Sequence, residues 1–124
     1  MNNEIMDYKL KGYCCSQIIM EMGLKRLGLE DKEMIKAMRG LCFGMNRGKN
    51  CGILTAAMCL IYLAATEETR VRCGDDFFDW FEETFGAIDC EVLLEGDPMN
   101  KVEKCPAMIE ASFAELSDIL EWDQ

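Results

Sequence analysis

Sulfur is the only soft, redox-capable chemistry this chain offers: it carries eight cysteines and no histidine. Triads that depend on imidazole are therefore excluded, as are mixed Cys/His zinc sites. Three uses of thiols remain: disulfide exchange, a metal or iron–sulfur site held by cysteine alone, or a set of inert buried side chains. No Cys-x-x-Cys occurs, so a thioredoxin-type pair, a zinc ribbon and a ferredoxin run are not expected.

Four of the cysteines fall at expected helix starts. Cys15 follows Gly12-Tyr13-Cys14, with Cys14 in the cap position; Cys51 follows Asn50 and Cys90 follows Asp89, both favoured caps; Cys105 precedes Pro106, which suits a first helical residue. A helix N-terminus presents unpaired N–H groups and about half a positive charge, which favours thiolate over thiol. Cys15, Cys51, Cys90 and Cys105 are thus the candidate reactive residues, or the candidate metal ligands. Arg47 and Lys49 ahead of Cys51, and Lys101 and Lys104 ahead of Cys105, add local positive charge. The glycine-rich stretch Gly40–Asn50 is not a phosphate-binding P-loop, because Gly-Lys is followed by Asn-Cys. Its end, with Gly48, Asn50 and Gly52, either cradles an anion, a cluster sulfide or a reacting thiolate through backbone amides, or is a plain turn.

The other four cysteines read differently. Cys59 lies in an uncharged helix and is expected to pack; Cys73 falls in a polar connection and Cys42 in the glycine-rich loop. Cys14 adjoins Cys15, and a disulfide between neighbours would strain the peptide between them. Cys14 and Cys42 remain available as resolving thiols or spare ligands.

Few β-branched runs, two prolines and abundant Met, Leu, Ala and Glu favour helix throughout. The expected fold is an all-α, single-domain bundle of about five to six helices around a buried uncharged one. Apolar spacing places helices over 3–10, 15–27, 30–39, 51–66, 75–85 and 106–120, with a short one over 89–94. The segment Cys51–Thr66 contains no charge, but it is shorter than the roughly 20 residues a bilayer requires, so a central bundle helix is expected and no membrane span. Phe77, Phe78, Phe81 and Phe85 share a face opposite Asp79, Glu82 and Glu83.

At 124 residues, one domain over 1–124 is expected, able to bury a core without disulfide staples. The opening MNNEIMDYKLKGY lacks the apolar region of a secretory signal, which makes the cytoplasm the expected compartment. Clustered cysteines there suggest catalysis or metal binding rather than a disulfide framework. A net charge of −10 argues against nucleic-acid partners. Met-rich and aromatic faces are compatible with a homodimer.

The segments Gly12-Tyr-Cys-Cys-Ser-Gln17, Gly44-Met-Asn-Arg-Gly-Lys-Asn-Cys-Gly-Ile-Leu-Thr55, Phe85-Gly-Ala-Ile-Asp-Cys90 and Cys105-Pro106 together resemble the C_GCAxxG_C_C family of redox-active proteins. The resemblance spans nearly the whole chain, and the family's four signature cysteines correspond in order to Cys15, Cys51, Cys90 and Cys105. Where the family reads Cys-Gly-Ala-x-x-Gly, this chain has the larger Ile53 and Ala56. The resemblance implies a redox role with an unidentified redox partner. On the residues, three readings stand open: thiol/disulfide cycling in which Cys51 attacks, coordination of an iron–sulfur cluster or zinc by the same four cysteines, or a helical interaction protein whose thiols are incidental.

Overall fold

A computed structural model describes residues 3–122 as seven α-helices in one all-helical bundle: α1 (Asn3–Leu10), α2 (Cys15–Arg26), α3 (Lys32–Met38), α4 (Gly52–Ala64), α5 (Arg70–Phe85), α6 (Cys90–Leu93) and α7 (Lys101–Ile119). The count exceeds the expected five to six because the one-turn α6 is a helix of its own. No helix among the described residues is long and apolar enough to cross a membrane.

The uncharged α4 is the hub. Its Ile53, Leu54, Ala56, Ala57, Leu60 and Ile61 are buried against α2, α5 and α7. Against α2 the approach is set by Gly23, where any Cβ would overlap the Leu60 side chain. Ile18, Ile19, Met20 and Leu24 of α2 complete that interface, and Ile109 and Leu116 of α7 close the core. Burying side chains of this size stabilises by about 1.5–3 kcal/mol each. The outer face of α4 departs from expectation: Cys59 is exposed with Tyr62 and Leu63 and does not pack into the core.

Two helix starts lie five residues earlier than the sequence suggests. α5 begins at Arg70, so Cys73 and Gly74 are buried inside a helix rather than in a connection; the charged residues around them point outward and disguise the periodicity. A Cβ at Gly74 would lie 2.9 Å from Met58 Sδ, which fixes the closeness of α5 to α4. Phe77 and Phe81 are fully buried, with Trp80 and Phe85 packed edge-on against Phe81. α7 begins at Lys101 and runs through Pro106, which therefore sits in its second turn and not at its first residue. The entry is fixed instead by the short turn Pro98–Asn100, where Asn100 Nδ2 donates to Leu94 O at 2.7 Å.

The stretch between α3 and α4 contains an unusual feature. Phe43, Gly44, Met45 and Asn46 all have positive φ, between 51° and 60°, forming a left-handed turn closed by Lys49 N–H to Gly44 O at 3.3 Å. Left-handed backbone costs an L-residue on the order of 1 kcal/mol or more, so three non-glycine positions here are strained. Gly44 is required: a Cβ there would overlap the Lys49 backbone.

Candidate functional site

Each of the four candidate cysteines is brought in by a separate helix, and local interactions fix each one. α2 starts at Cys15 because Cys14 is extended (φ −89°, ψ 173°) and its N–H donates to Gln17 Oε1 at 3.1 Å. Gln17 Nε2 in turn donates to Ile35 O at 3.1 Å, and Ser16 Oγ donates to Met38 O at 2.7 Å. These two buried side chains tie the start of α2 to α3.

Cys51 and Cys90 are clamped side by side by backbone. Cys51 N–H donates to Ile88 O at 2.7 Å and Cys90 N–H to Lys49 O at 2.8 Å, a one-rung antiparallel bridge about Asn50 and Asp89. Cys51 is itself the N-cap of α4, so that helix starts one residue later than expected, and Cys90 opens α6. The amide of Gly52 donates to the Cys90 sulfur and that of Ile53 to the Cys51 sulfur, so the N-terminus of α4 serves both. A Cβ on Gly52 would lie 2.7 Å from Leu41 O and 3.3 Å from Cys15 Sγ. The absence of that Cβ lets α2 bring Cys15 against the start of α4. Cys105 arrives from α7.

The four side chains meet in one chamber that also includes Phe43, Leu93, Leu94, Lys101 and Met108. All four cysteines are buried, between 4% and 9% exposed. The free space is about 10 Å³, enough for one water at most. They interact as two hydrogen-bonded pairs, Cys15 with Cys105 and Cys51 with Cys90. Donating its proton to Cys105, followed by burial, pushes the Cys15 thiol well up; donation to Cys90 and burial do the same for Cys51. Cys90 is held below its ordinary value, chiefly by the Cys51 thiol and with help from the Gly52 amide and Lys101. Cys105 is lowered to about 7 by the Cys15 thiol, with Lys9 and Lys101 adding positive charge against the opposing effect of burial.

These electrostatics run against the expectation that Cys51 attacks. Cys51 sits at a helix N-terminus, but its sulfur is a proton donor in a buried pair, and that outweighs the Ile53 amide. Cys105 is not at a helix start at all; its thiolate is favoured by a neighbouring thiol and two lysines. Of the expected cations, Lys101 acts on Cys15, Cys90 and Cys105. Lys49 pairs with Glu91 at 3.3 Å, and Lys104 donates to Leu93 O at 3.0 Å. Gly52 faces the site, whereas Gly48 packs at φ 71° against Glu91 and Asn50 is exposed in the bridge; neither borders the chamber.

Outside the chamber lies a second, open cleft of about 270 Å³, lined by Lys9, Gly12, Tyr13, Cys14, Cys15, Phe43, Lys101 and Cys105. Phe43 and Lys101 border both spaces, with the Lys101 ammonium 4.7 Å from the Phe43 ring centroid. Lys9 and Phe43 were not legible as site residues: one lies on the amphipathic first helix, and the other is a single aromatic whose left-handed backbone no periodicity announces. A disulfide joins Cys14 to Cys42, with Cα atoms 6.0 Å apart. The sequence offers both residues as helpers but does not pair them. Among the described residues no group of three or more Cys, Asp or Glu side chains is arranged to hold a metal ion.

Fold and site together define a helical domain whose sulfur chemistry is gathered at one buried four-cysteine centre. The profile of the family described as "Putative redox-active protein (C_GCAxxG_C_C)" matches residues 13–119, a span that holds all four of these cysteines, and the chain belongs to that family. No curated protein and no solved structure matches it.

Proposed function

We propose that this protein is a thiol–disulfide redox protein in which Cys105 is the attacking thiolate and Cys15 its resolving partner, with Cys51 and Cys90 as a second dithiol. What carries this reading is the geometry: four cysteines from four helices are buried around one chamber, with Cys15 coupled to Cys105 and Cys51 to Cys90. A couple of that kind shares one proton, so a thiolate and its resolving thiol are both ready near neutral pH.

In the forward direction the Cys105 thiolate attacks one sulfur of a substrate disulfide, and the other leaves as a thiolate. Cys15 then loses its proton to that leaving group and attacks Cys105 Sγ. The mixed disulfide breaks, Cys15–Cys105 forms, and the substrate departs as one thiol and one thiolate, the thiolate taking its proton from water. Lys9 and Lys101 stabilise the negative charge on Cys105, and Phe43 limits entry to the cleft side.

The test is to purify the protein without oxygen, assay iron and zinc, and count free thiols through an oxidation and reduction cycle. Metal-free protein that loses and regains thiols two at a time supports the reading. Stoichiometric iron or zinc, held through chelation at neutral pH, overturns it in favour of coordination by the same cysteines.

A further inference from the structure

The Cys14–Cys42 disulfide lies at the edge of the same cleft. Cys14, Cys15 and Cys105 all line it, together with Lys9, Lys101 and the rings of Tyr13 and Phe43. Cys14 and Cys42 are half-buried whereas Cys15 and Cys105 are buried, so the disulfide is the sulfur group nearer to solvent. Cys14 is the cap of the helix that Cys15 opens, and the cap bonds from Gln17 hold the two in fixed relation. Cys42 precedes Phe43, so the residue at the far end of the disulfide adjoins the ring that borders both chamber and cleft.

We propose that Cys14–Cys42 is the exchange partner of the Cys15–Cys105 couple, and that the protein passes two electrons between the buried couple and this outer disulfide across the cleft. The inference rests on the redox reading of the four-cysteine site. In the first step Cys105 Sγ attacks Cys14 Sγ; the Cys105–Cys14 bond forms, the Cys14–Cys42 bond breaks, and Cys42 leaves as a thiolate. Ser16 Oγ lies 3.5 Å from Cys42 Sγ and 3.2 Å from Cys14 Sγ, and its hydroxyl can turn from Met38 O toward the sulfur that gains charge. In the second step Cys15 gives its proton to the Cys42 thiolate and attacks Cys105 Sγ. Cys15–Cys105 forms and Cys14 leaves, taking the proton that Cys105 gave up. Cys15 and Cys105 are oxidised by two electrons, Cys14 and Cys42 are reduced by two, and no outside reagent is consumed. The reverse sequence loads the inner couple from an outer dithiol, with external thiols or disulfides reacting at the more exposed pair.

The obligatory intermediate is a bond between Cys14 and Cys105, which gives the test. In the Cys15→Ser, Cys42→Ser double variant, one equivalent of diamide is added to the reduced full-length protein, which is then acid-quenched, alkylated and digested for mass spectrometry. The expected product outside the Cys51–Cys90 couple is a Cys14–Cys105 linked peptide. Independently of that variant's folding, unsubstituted protein holding one disulfide is kept anaerobic and sampled over time. Oxidation is expected to distribute between Cys14–Cys42 and Cys15–Cys105 at a constant six free thiols, and Cys105→Ser, which keeps the outer disulfide, is expected to stop the redistribution. A missing Cys14–Cys105 link together with a frozen distribution overturns the relay; if diamide still joins Cys15 to Cys105 in unsubstituted protein, the redox function stands without it. If diamide oxidises neither Cys15 nor Cys105, the redox function itself falls and the relay with it.

Discussion

Replacing Lys101 by Met removes a cation that acts on Cys15, Cys90 and Cys105 while keeping a long apolar stem against Phe43. Cys105 is held at about 7, so about half of it is thiolate at pH 7. A nearby opposite charge shifts a pKa by about 1–3 units, and because Lys9 remains in place we take the low end, about one unit. At pH 7 the thiolate fraction then falls from about a half to about a tenth. The thiolate that remains is more nucleophilic, by about 2.8-fold for a Brønsted slope near 0.45. Net reactivity of Cys105 toward iodoacetamide should drop about two-fold at pH 7, rise about 2.6-fold at pH 9, and cross the unsubstituted protein near about pH 7.6. The assay is the alkylation rate of the Cys105 peptide across pH 5.5 to 9.5, read by mass spectrometry. A crossing of the two profiles is the diagnostic feature. An unchanged midpoint would show that Lys101 does not set the charge on Cys105, and a uniform loss at every pH would mean that the substitution had merely disturbed the fold.

Three other perturbations probe the frame around the site. Cys42→Ser opens a disulfide that spans 28 positions, and loop-closure entropy assigns it about 3.5 kcal/mol, which for a chain of this size lowers Tm by about 13 °C in a calorimetric scan; a shift under about 3 °C would refute that role. Gly52→Ala places a methyl 2.7 Å from the Leu41 carbonyl and against Cys15 Sγ, so a loss of about 1–3 kcal/mol in urea unfolding is expected despite the helix-favouring change; a neutral or stabilising result contradicts the close approach described. Phe43→Ala unroofs the chamber on the cleft side and should speed alkylation of Cys51 and Cys90 at least several-fold, with Cys59, which is already exposed, as the unchanged internal control; equal rates at Cys51 and Cys90 before and after would assign the barrier elsewhere.

Much of this architecture was legible because it depends on spacing. Ile18, Ile19 and Met22, the inner side of the uncharged run after Cys51, and Phe77 with Phe81 each announce a buried helix side and are buried as expected, whereas the outer side of that run, with Cys59, is exposed. What spacing hides is the influence of neighbours remote in sequence. Helix caps singled out Cys15, Cys51, Cys90 and Cys105 together, but the cap rule gives no ranking among them. The ranking comes from which thiol donates to which, and Cys105 faces Cys15 only once α7 is packed on α2. Pro106 misled for a related reason: proline favours a first helical position but does not require it, and here the turn before Lys101 sets the start. The left-handed turn at Phe43–Asn46 has no sequence code beyond its glycines, since Phe and Met are poor candidates for positive φ. The Cys14–Cys42 bond was open for the same reason that any eight-cysteine pairing is open from sequence.

The pairing of the buried sulfurs decides whether the centre works as two dithiol couples. Fully reduced, metal-free protein titrated with three equivalents of diamide, then acid-quenched and mapped by peptide mass spectrometry, should yield Cys15–Cys105 and Cys51–Cys90 linkages within the buried centre beside the outer Cys14–Cys42 one. Linkage of Cys15 to Cys51 or of Cys90 to Cys105, or four buried thiols that resist oxidation while those of Cys14 and Cys42 are consumed, would contradict it.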